Sequence, residues 1–317
     1  MTKVFIDGSA GTTGLRIYER LSGRGDIALL RLTEGERKSP EARREALQSA
    51  ELAFLCLPDD AAREAVALAG DSPVRIIDTS TAHRTAPDWV YGFPELKGRR
   101  EQIRSARRVA NPGCHASGFI ALVAPLVGEG LLPRDALLSC FSLTGYSGGG
   151  KKMIAEYESA PSPLLSAPRQ YGLGQSHKHL PEMARECALE KAPVFCPIVA
   201  PYYAGMEVTV PLFREMLRGG AEQIKALYRD YYAGGLVRFR EDPGEGGFLS
   251  ACACAGWDGM ELSVHGNGDR ILLAARFDNL GKGASGAAIQ NMNLMLGMEE
   301  TEGLNIQGDN CSEPFGF

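Results

Sequence analysis

One short stretch of the chain combines residue types that could carry covalent chemistry. Asn111-Pro112-Gly113-Cys114-His115 ends an apolar run in a Pro-Gly turn and sets a cysteine at the start of a largely apolar, small-residue segment, 114–127, that reads as a helix. At a helix start the unpaired N–H groups and the dipole stabilise a thiolate. A thiolate attacks an acyl carbon, and the resulting thioester is activated enough to accept a hydride. The bland alternative is a buried, inert Cys114, which the preceding turn disfavours. Among the other cysteines, Cys56 lies in an apolar run, and Cys252 and Cys254 alternate with alanines as if on one strand face.

Such chemistry needs an acid–base group, and His177-Lys178-His179-Leu180-Pro181-Glu182 offers one. Pro181 suits the first turn of a helix, so His179 and His177 lie in the approach to it. A plain pair of helix-cap histidines is the competing reading. A zinc reading lacks a ligand set, and no metal is expected. His115, one residue past the cysteine, points about 100° away from it on a helix and is the poorer base.

Three further groups could hold ligands. The segment Gly145-Tyr146-Ser147-Gly148-Gly149-Gly150-Lys151-Lys152 offers main-chain N–H groups and ammonium charge to an anion such as phosphate, with Ser147, Gly148 and Lys151 as candidates, or else is a flexible connection. Arg84 could grip a carboxylate or phosphate, or serve in a surface ion pair. After the first strand, Gly8-Ser9-Ala10-Gly11-Thr12-Thr13-Gly14 places three glycines at a helix start, where backbone can approach a pyrophosphate. Arg37, Lys38 and Ser39, past the second strand, suit a 2′-phosphate and favour NADP; the other reading gives the ribose of NAD to Glu34.

These groups need elements to position them. Apolar runs at 4–6, 27–30, 52–57, 74–77 and 108–110, interleaved with helical spacing such as 61–69, predict a parallel, helix-covered sheet. Beyond residue 114 the pattern changes, with strands expected at 136–143, 194–199, 207–213, 236–239 and 271–277 and few helices between them. The expected fold is an α/β Rossmann-type dinucleotide-binding domain, residues 1–113 with 280–317, plus an α+β catalytic and oligomerisation domain with a mixed or antiparallel sheet, residues 114–279. The helix expected at 283–296 packs back on the first domain. A Pro- and Ser-rich loop is expected at 161–168 and a loop or arm at 303–317.

Composition is consistent with this. The 317 residues are 44% hydrophobic and 23% charged, enough for two ordinary cores. The net charge of −5, with its basic residues spread out, argues against a nucleic-acid partner, and the basic residues at 99–108 read as a solvated helix face. No run approaches the ~18 apolar residues of a membrane span. No apolar leader follows Met1, and eight scattered cysteines suit reduced thiols, so a cytoplasmic location is expected.

Taken together and in order, these segments resemble the N-acetyl-gamma-glutamyl-phosphate reductase family in its shorter form, over nearly the whole chain. The resemblance rests on the Gly8 to Gly14 turn, Asp78-Thr79-Ser80, Tyr91-Gly92-Phe93-Pro94-Glu95-Leu96, Asn111 to Cys114, Ser147 to Lys151, His177 to Glu182, and Asp278-Asn279-Leu280-Gly281-Lys282-Gly283. The longer form reads Asp-Leu-Ser-Ala-Asp-Phe-Arg where this chain has Asp78-Thr79-Ser80-Thr81-Ala82-His83-Arg84, which leaves the roles of His83 and Arg84 open. The resemblance implies attack of Cys114 on the acyl phosphate of N-acetylglutamyl 5-phosphate, release of phosphate, and reduction by NADPH to the semialdehyde. It also implies His179, or else His177, as proton carrier, Asn279 near the nicotinamide, and a homo-oligomer, dimer or tetramer. Two other readings remain: an aspartate or N-acetyl-aminoadipate semialdehyde dehydrogenase of the same architecture, and a non-catalytic dinucleotide sensor.

Overall fold

The computed structural model describes residues 1–159 and 162–306, in two compact units. One comprises Met1–Gly113 with Ala284–Leu304; the other comprises Cys114–Gly283 and takes up the chain again at Asn305. The second crossing falls after Gly283. Pro161 and the expected tail from 307 to 317, with Cys311, lie outside the described residues.

The first unit is built on β1 (Thr2–Asp7), β2 (Ile27–Leu30), β3 (Leu52–Leu55), β4 (Arg75–Asp78), β5 (Val90–Tyr91) and β6 (Arg108–Ala110), all parallel in the order β2-β1-β3-β4-β6-β5. Between them run α1 (Thr12–Ser22), α2 (Pro40–Ser49), α3 (Asp59–Ala69) and α4 (Arg99–Ser105). The strands are short and apolar because both faces are covered, as the four fully buried residues of β3 illustrate. Ile17, Leu21 and Ile103 pack against Val4, Phe54 and Val109 on one face; Leu47, Ala62 and Ala65 pack against Phe5, Ala53 and Leu55 on the other. The order reverses at β1 and β3, and the crevice outside the carboxyl ends of strands at such a point is where open α/β sheets bind ligands.

The second unit opens with α5 (Cys114–Gly128), buried nearly all round. Its sheet comprises β7 (Ser139–Gly145), β8 (Arg169–Gln170), β9 (Val194–Ala200), β10 (Met206–Phe213), β11 (Val237–Phe239), β12 (Met260–Gly266) and β13 (Arg270–Phe277), with α6 (Gly150–Ser159), α7 (Leu180–Glu186) and α8 (Ala221–Tyr231) between them. In the order β11-β12-β13-β10-β7-β9-β8, the pairs β7–β9 and β11–β12 are parallel and the rest antiparallel, the mixed sheet expected. Pro125, inside α5, deprives the Ala121 carbonyl of its helical partner, and the Tyr232 hydroxyl donates to it at 2.7 Å. The chain then returns to the first unit as α9 (Gly286–Leu296), whose Ala288, Ile289 and Met292 join the core beside α1 and α4. Among the described residues no helix is long and apolar enough to cross a membrane.

Two expectations change. Cys252 and Cys254 lie in consecutive turns, not on a strand; the strand is β12, where Met260, Glu261, Leu262, Ser263, Val264 and His265 alternate and Glu261 is buried against Arg276 at 2.6 Å. The stretch from Gly145 is no open loop: Tyr146–Gly149 forms a turn of 3-10 helix that runs into α6.

Candidate active site

Cys114 is the first residue of α5, half-buried, with the helix running away from it into the core. Room for its side chain depends on Gly283, where a Cβ would stand 3.0 Å from the Cys114 Cβ and 3.1 Å from the Asp278 carbonyl oxygen. Asp278 shapes that segment, its carboxylate accepting the main-chain N–H groups of Leu280 and Gly281 at 2.6 and 3.1 Å. Four of the other cysteines are unsuited to attack: burial pushes the Cys56 thiol up to about 12, and raises Cys140, Cys187 and Cys252 as well.

A cluster of rings from the same unit surrounds His115. Its Nδ1 lies 2.6 Å from the Ser142 hydroxyl and its Nε2 2.7 Å from the Tyr171 hydroxyl. Burial, then the charges of His177 and Lys178, lower its pKa to about 3, so His115 is neutral, with one ring nitrogen donating and the other accepting. Its ring centroid stands 5.7 Å from that of His177 and 5.6 Å from that of His179. His177 accepts the His179 main-chain N–H on Nδ1 at 3.2 Å, and the two rings meet edge-on at 4.7 Å. His179 is buried at the cap position of α7, with its Nε2 4.0 Å from the buried Glu182 carboxylate. Tyr171 was not singled out by sequence; burial and the nearby Cys114 thiol raise its phenol. The only signal for it was its place six residues before His177.

The anion segment is engaged differently from expectation. The N–H groups of Gly145, Tyr146 and Ser147 donate to the carbonyls of Gly205, Tyr202 and Tyr203, so they are satisfied within the unit. Asn279, 2% exposed, accepts from the Gly205 N–H at 2.9 Å and donates to Ser147 Oγ at 3.0 Å, with Gly148 packed near it. Asn279 and Ser147 therefore tie the end of β13 to the turn after β7. Lys151 is exposed on the first turn of α6.

In the first unit, a cleft of about 450 Å³ opens beyond the ends of β1 and β2, lined by Gly8, Ser9, Ala10, Tyr18, Arg31 and Arg37 among others. The three glycines differ in what demands them. Gly8 has φ +88 and its Cβ would fall 2.2 Å from the Cys56 carbonyl oxygen; a Gly14 Cβ would fall 2.4 Å from the Gly8 oxygen. Gly11 meets nothing nearer than 3.5 Å. The fold requires the first two, while Gly11, at the N-terminus of α1 ahead of Thr12 and Thr13, leaves space for a ligand. Arg31, missed by sequence, lies over the Tyr18 ring at 4.7 Å from its centroid. Ser39 does not face the cleft: it caps α2 by accepting the Ala42 N–H at 3.3 Å. Lys38 and Glu34 are exposed and are not among the cleft's lining residues. Arg84, 7% exposed, donates to the carbonyls of Asn111 and Thr79, each at 3.0 Å. His83 stacks on Trp89 and approaches the buried Asp78 carboxylate at 2.6 Å.

Comparison with known proteins agrees with this division. The semialdehyde dehydrogenase NAD binding domain family matches residues 3–106, and the semialdehyde dehydrogenase dimerisation domain family matches residues 114–279. A protein of Rhizobium meliloti named N-acetyl-gamma-glutamyl-phosphate reductase is 50% identical over 305 residues, covering 93% of this chain and 98% of the relative. One of Pseudomonas putida, named N-acetyl-gamma-glutamyl-phosphate reductase 2, is 46% identical over 308 residues, covering 95% and 98%. In fold, the chain is similar to the crystal structure of aspartate semialdehyde dehydrogenase II of Vibrio cholerae, with a TM-score of 0.72 at 17% identity over 93% of this chain and 98% of that one.

Proposed function

The chain belongs to the semialdehyde dehydrogenase family, in the branch of the N-acetyl-gamma-glutamyl-phosphate reductases, and we propose that Cys114 carries out the acyl transfer of that reaction. The overall conversion takes N-acetyl-L-glutamyl 5-phosphate to N-acetyl-L-glutamate 5-semialdehyde and phosphate, a step of arginine biosynthesis. The Cys114 thiolate attacks the acyl carbon, the bond to the phosphate oxygen breaks with its electron pair leaving on phosphate, and a thioester remains. A reduced nicotinamide dinucleotide, when bound, would supply the hydride that brings the acyl carbon to the aldehyde level. His179, with Glu182 behind it and His177 beside it, moves the proton as the C–S bond breaks and the thiolate is restored. The observation that carries this assignment is Cys114 at the start of α5 in the same unit as the imidazole cluster.

The cleft beside Gly11 would hold the dinucleotide, the free N–H groups at the N-terminus of α1 suiting its pyrophosphate. Arg31 and Arg37 line the cleft, and Asp7, the one carboxylate among its described lining residues, is already paired by Arg43 at 3.0 Å, which favours NADP over NAD. Lys151 offers charge to the departing phosphate. Self-association as a dimer or tetramer uses the open face of the second sheet, which exposes Phe141, Val194, Phe213 and Leu272 together. Free thiols at all seven described cysteines suit the cytoplasm.

The test measures phosphate-dependent reduction of NADP by N-acetylglutamate semialdehyde. Cys114→Ser should bind dinucleotide and show no turnover, and iodoacetamide should label Cys114 ahead of the other cysteines, with substrate protecting it. Turnover by Cys114→Ser, or a trapped acyl group found on another cysteine, would overturn the assignment.

A further inference from the structure

The Tyr91 to Leu96 motif and the buried Arg84 take no part in the chemistry above, yet both converge on Asn111, which opens the turn before Cys114. Asn111 is 1% exposed and each of its polar groups is engaged. Its N–H donates to the Asp78 carbonyl at 2.7 Å, and its carbonyl accepts from Arg84 Nε at 3.0 Å. Its Nδ2 donates to the Ala284 carbonyl at 3.0 Å, and its Oδ1 accepts from Asn291 Nδ2 at 3.1 Å. Arg84 also holds the Thr79 carbonyl, so one guanidinium ties the segments that leave β4 and β6. Asn291 Nδ2 donates in addition to the Gly92 carbonyl at 2.9 Å, and a Cβ on Gly92 would fall 2.4 Å from that nitrogen. Gly92 is therefore the seat for Asn291, as Glu95 is for the neighbouring Gln290, bonded at 2.9 Å.

We propose that Arg84 and Asn291 are positioning residues for the nucleophile, clamping Asn111 so that the Asn111-Pro112-Gly113 turn delivers Cys114 in one place. Buried polar groups are costly unless bonded, so a helix side chain committed to a turn on another strand restricts where that turn can sit. The inference rests on the reading of Cys114 as nucleophile. A displacement of about 1 Å at a reacting group can cost on the order of 100-fold in rate.

Full-length Asn291→Ala and Arg84→Lys, with Cys114→Ser beside them, are compared for kcat, dinucleotide KM, thermal unfolding, and the rate and pH profile of Cys114 alkylation by iodoacetamide. Both positioning variants should fold and keep dinucleotide KM within about twofold, while kcat falls about 10- to 100-fold and alkylation at neutral pH slows severalfold. Native kcat in either folded variant overturns the proposal. So does a loss of kcat with an unaltered alkylation profile, which marks a merely structural role. If Asn291→Ala does not fold, Arg84→Lys, which keeps the charge, decides on the same readouts. An active Cys114→Ser defeats instead the nucleophile assignment beneath it.

Discussion

Mild acid should destabilise the second unit through His115, before the bulk of its carboxylates protonate. The ring is 2% exposed, sits between Ser142 and Tyr171, and has its pKa lowered to about 3 by burial, then by His177 and Lys178. Because the folded value lies below the ordinary histidine value of about 6.5, the unfolded chain binds the proton first. The stabilisation is therefore whole above about pH 7 and is lost as pH falls toward 3. At about 1.4 kcal/mol per pKa unit, His115 alone costs roughly 1 kcal/mol at pH 6 and roughly 2 kcal/mol at pH 5. His115→Gln keeps a polar side chain that can reach one of the two hydroxyls but cannot titrate. It should start less stable at pH 7.5, yet lose about 2 kcal/mol less than the native protein between pH 7.5 and 5. Urea unfolding followed by circular dichroism at pH 7.5, 6 and 5 measures both slopes; His265, whose pKa is also lowered by burial and by Arg276 and Lys225, cancels in the difference. Parallel losses in the two proteins, agreeing within about 0.5 kcal/mol, would refute the account of His115 as a buried neutral hydrogen-bonding bridge.

The glycines of the first turn separate folding from binding. Gly11→Ala should fold normally, since nothing lies within 3.4 Å of its added methyl, and should weaken dinucleotide binding measured by fluorescence titration; Gly8→Ala, at φ +88 and 2.2 Å from a carbonyl oxygen, should fail to fold. Equal stability of the two variants would count against this distinction. Arg31→Ala and Arg37→Ala should each weaken NADP by about 10- to 100-fold, the equivalent of a lost charge-assisted hydrogen bond, while leaving NAD nearly unchanged. If both cofactors weaken alike, the guanidinium groups contact a part that NAD and NADP share.

What the sequence determined by itself is local or repetitive. The first unit's parallel sheet was legible because fully covered strands read as short apolar runs, and β2 falls at 27–30 as expected. The start of α5 at Cys114 was legible because Pro112 and Gly113 end a strand by backbone chemistry alone. The family was legible from motif order, since each motif keeps its spacing whatever the fold does. Tertiary structure decided what each polar group does with its hydrogen bonds. Asn279 donates to Ser147 and accepts from Gly205, Ser39 turns to cap α2, and Arg84 bonds to two carbonyls, because each is buried or sits at a helix end where the nearest unsatisfied group claims it. Arg31 stacks on Tyr18 because β2 and α1 lie side by side, a proximity that a separation of 13 positions does not reveal. β12 escaped notice because Glu261 and His265 look like surface charges until Arg276, on the neighbouring strand, makes Glu261 affordable inside. The neutrality of His115 is likewise a property of its surroundings, since only burial among four other rings from distant parts of the chain lowers its pKa.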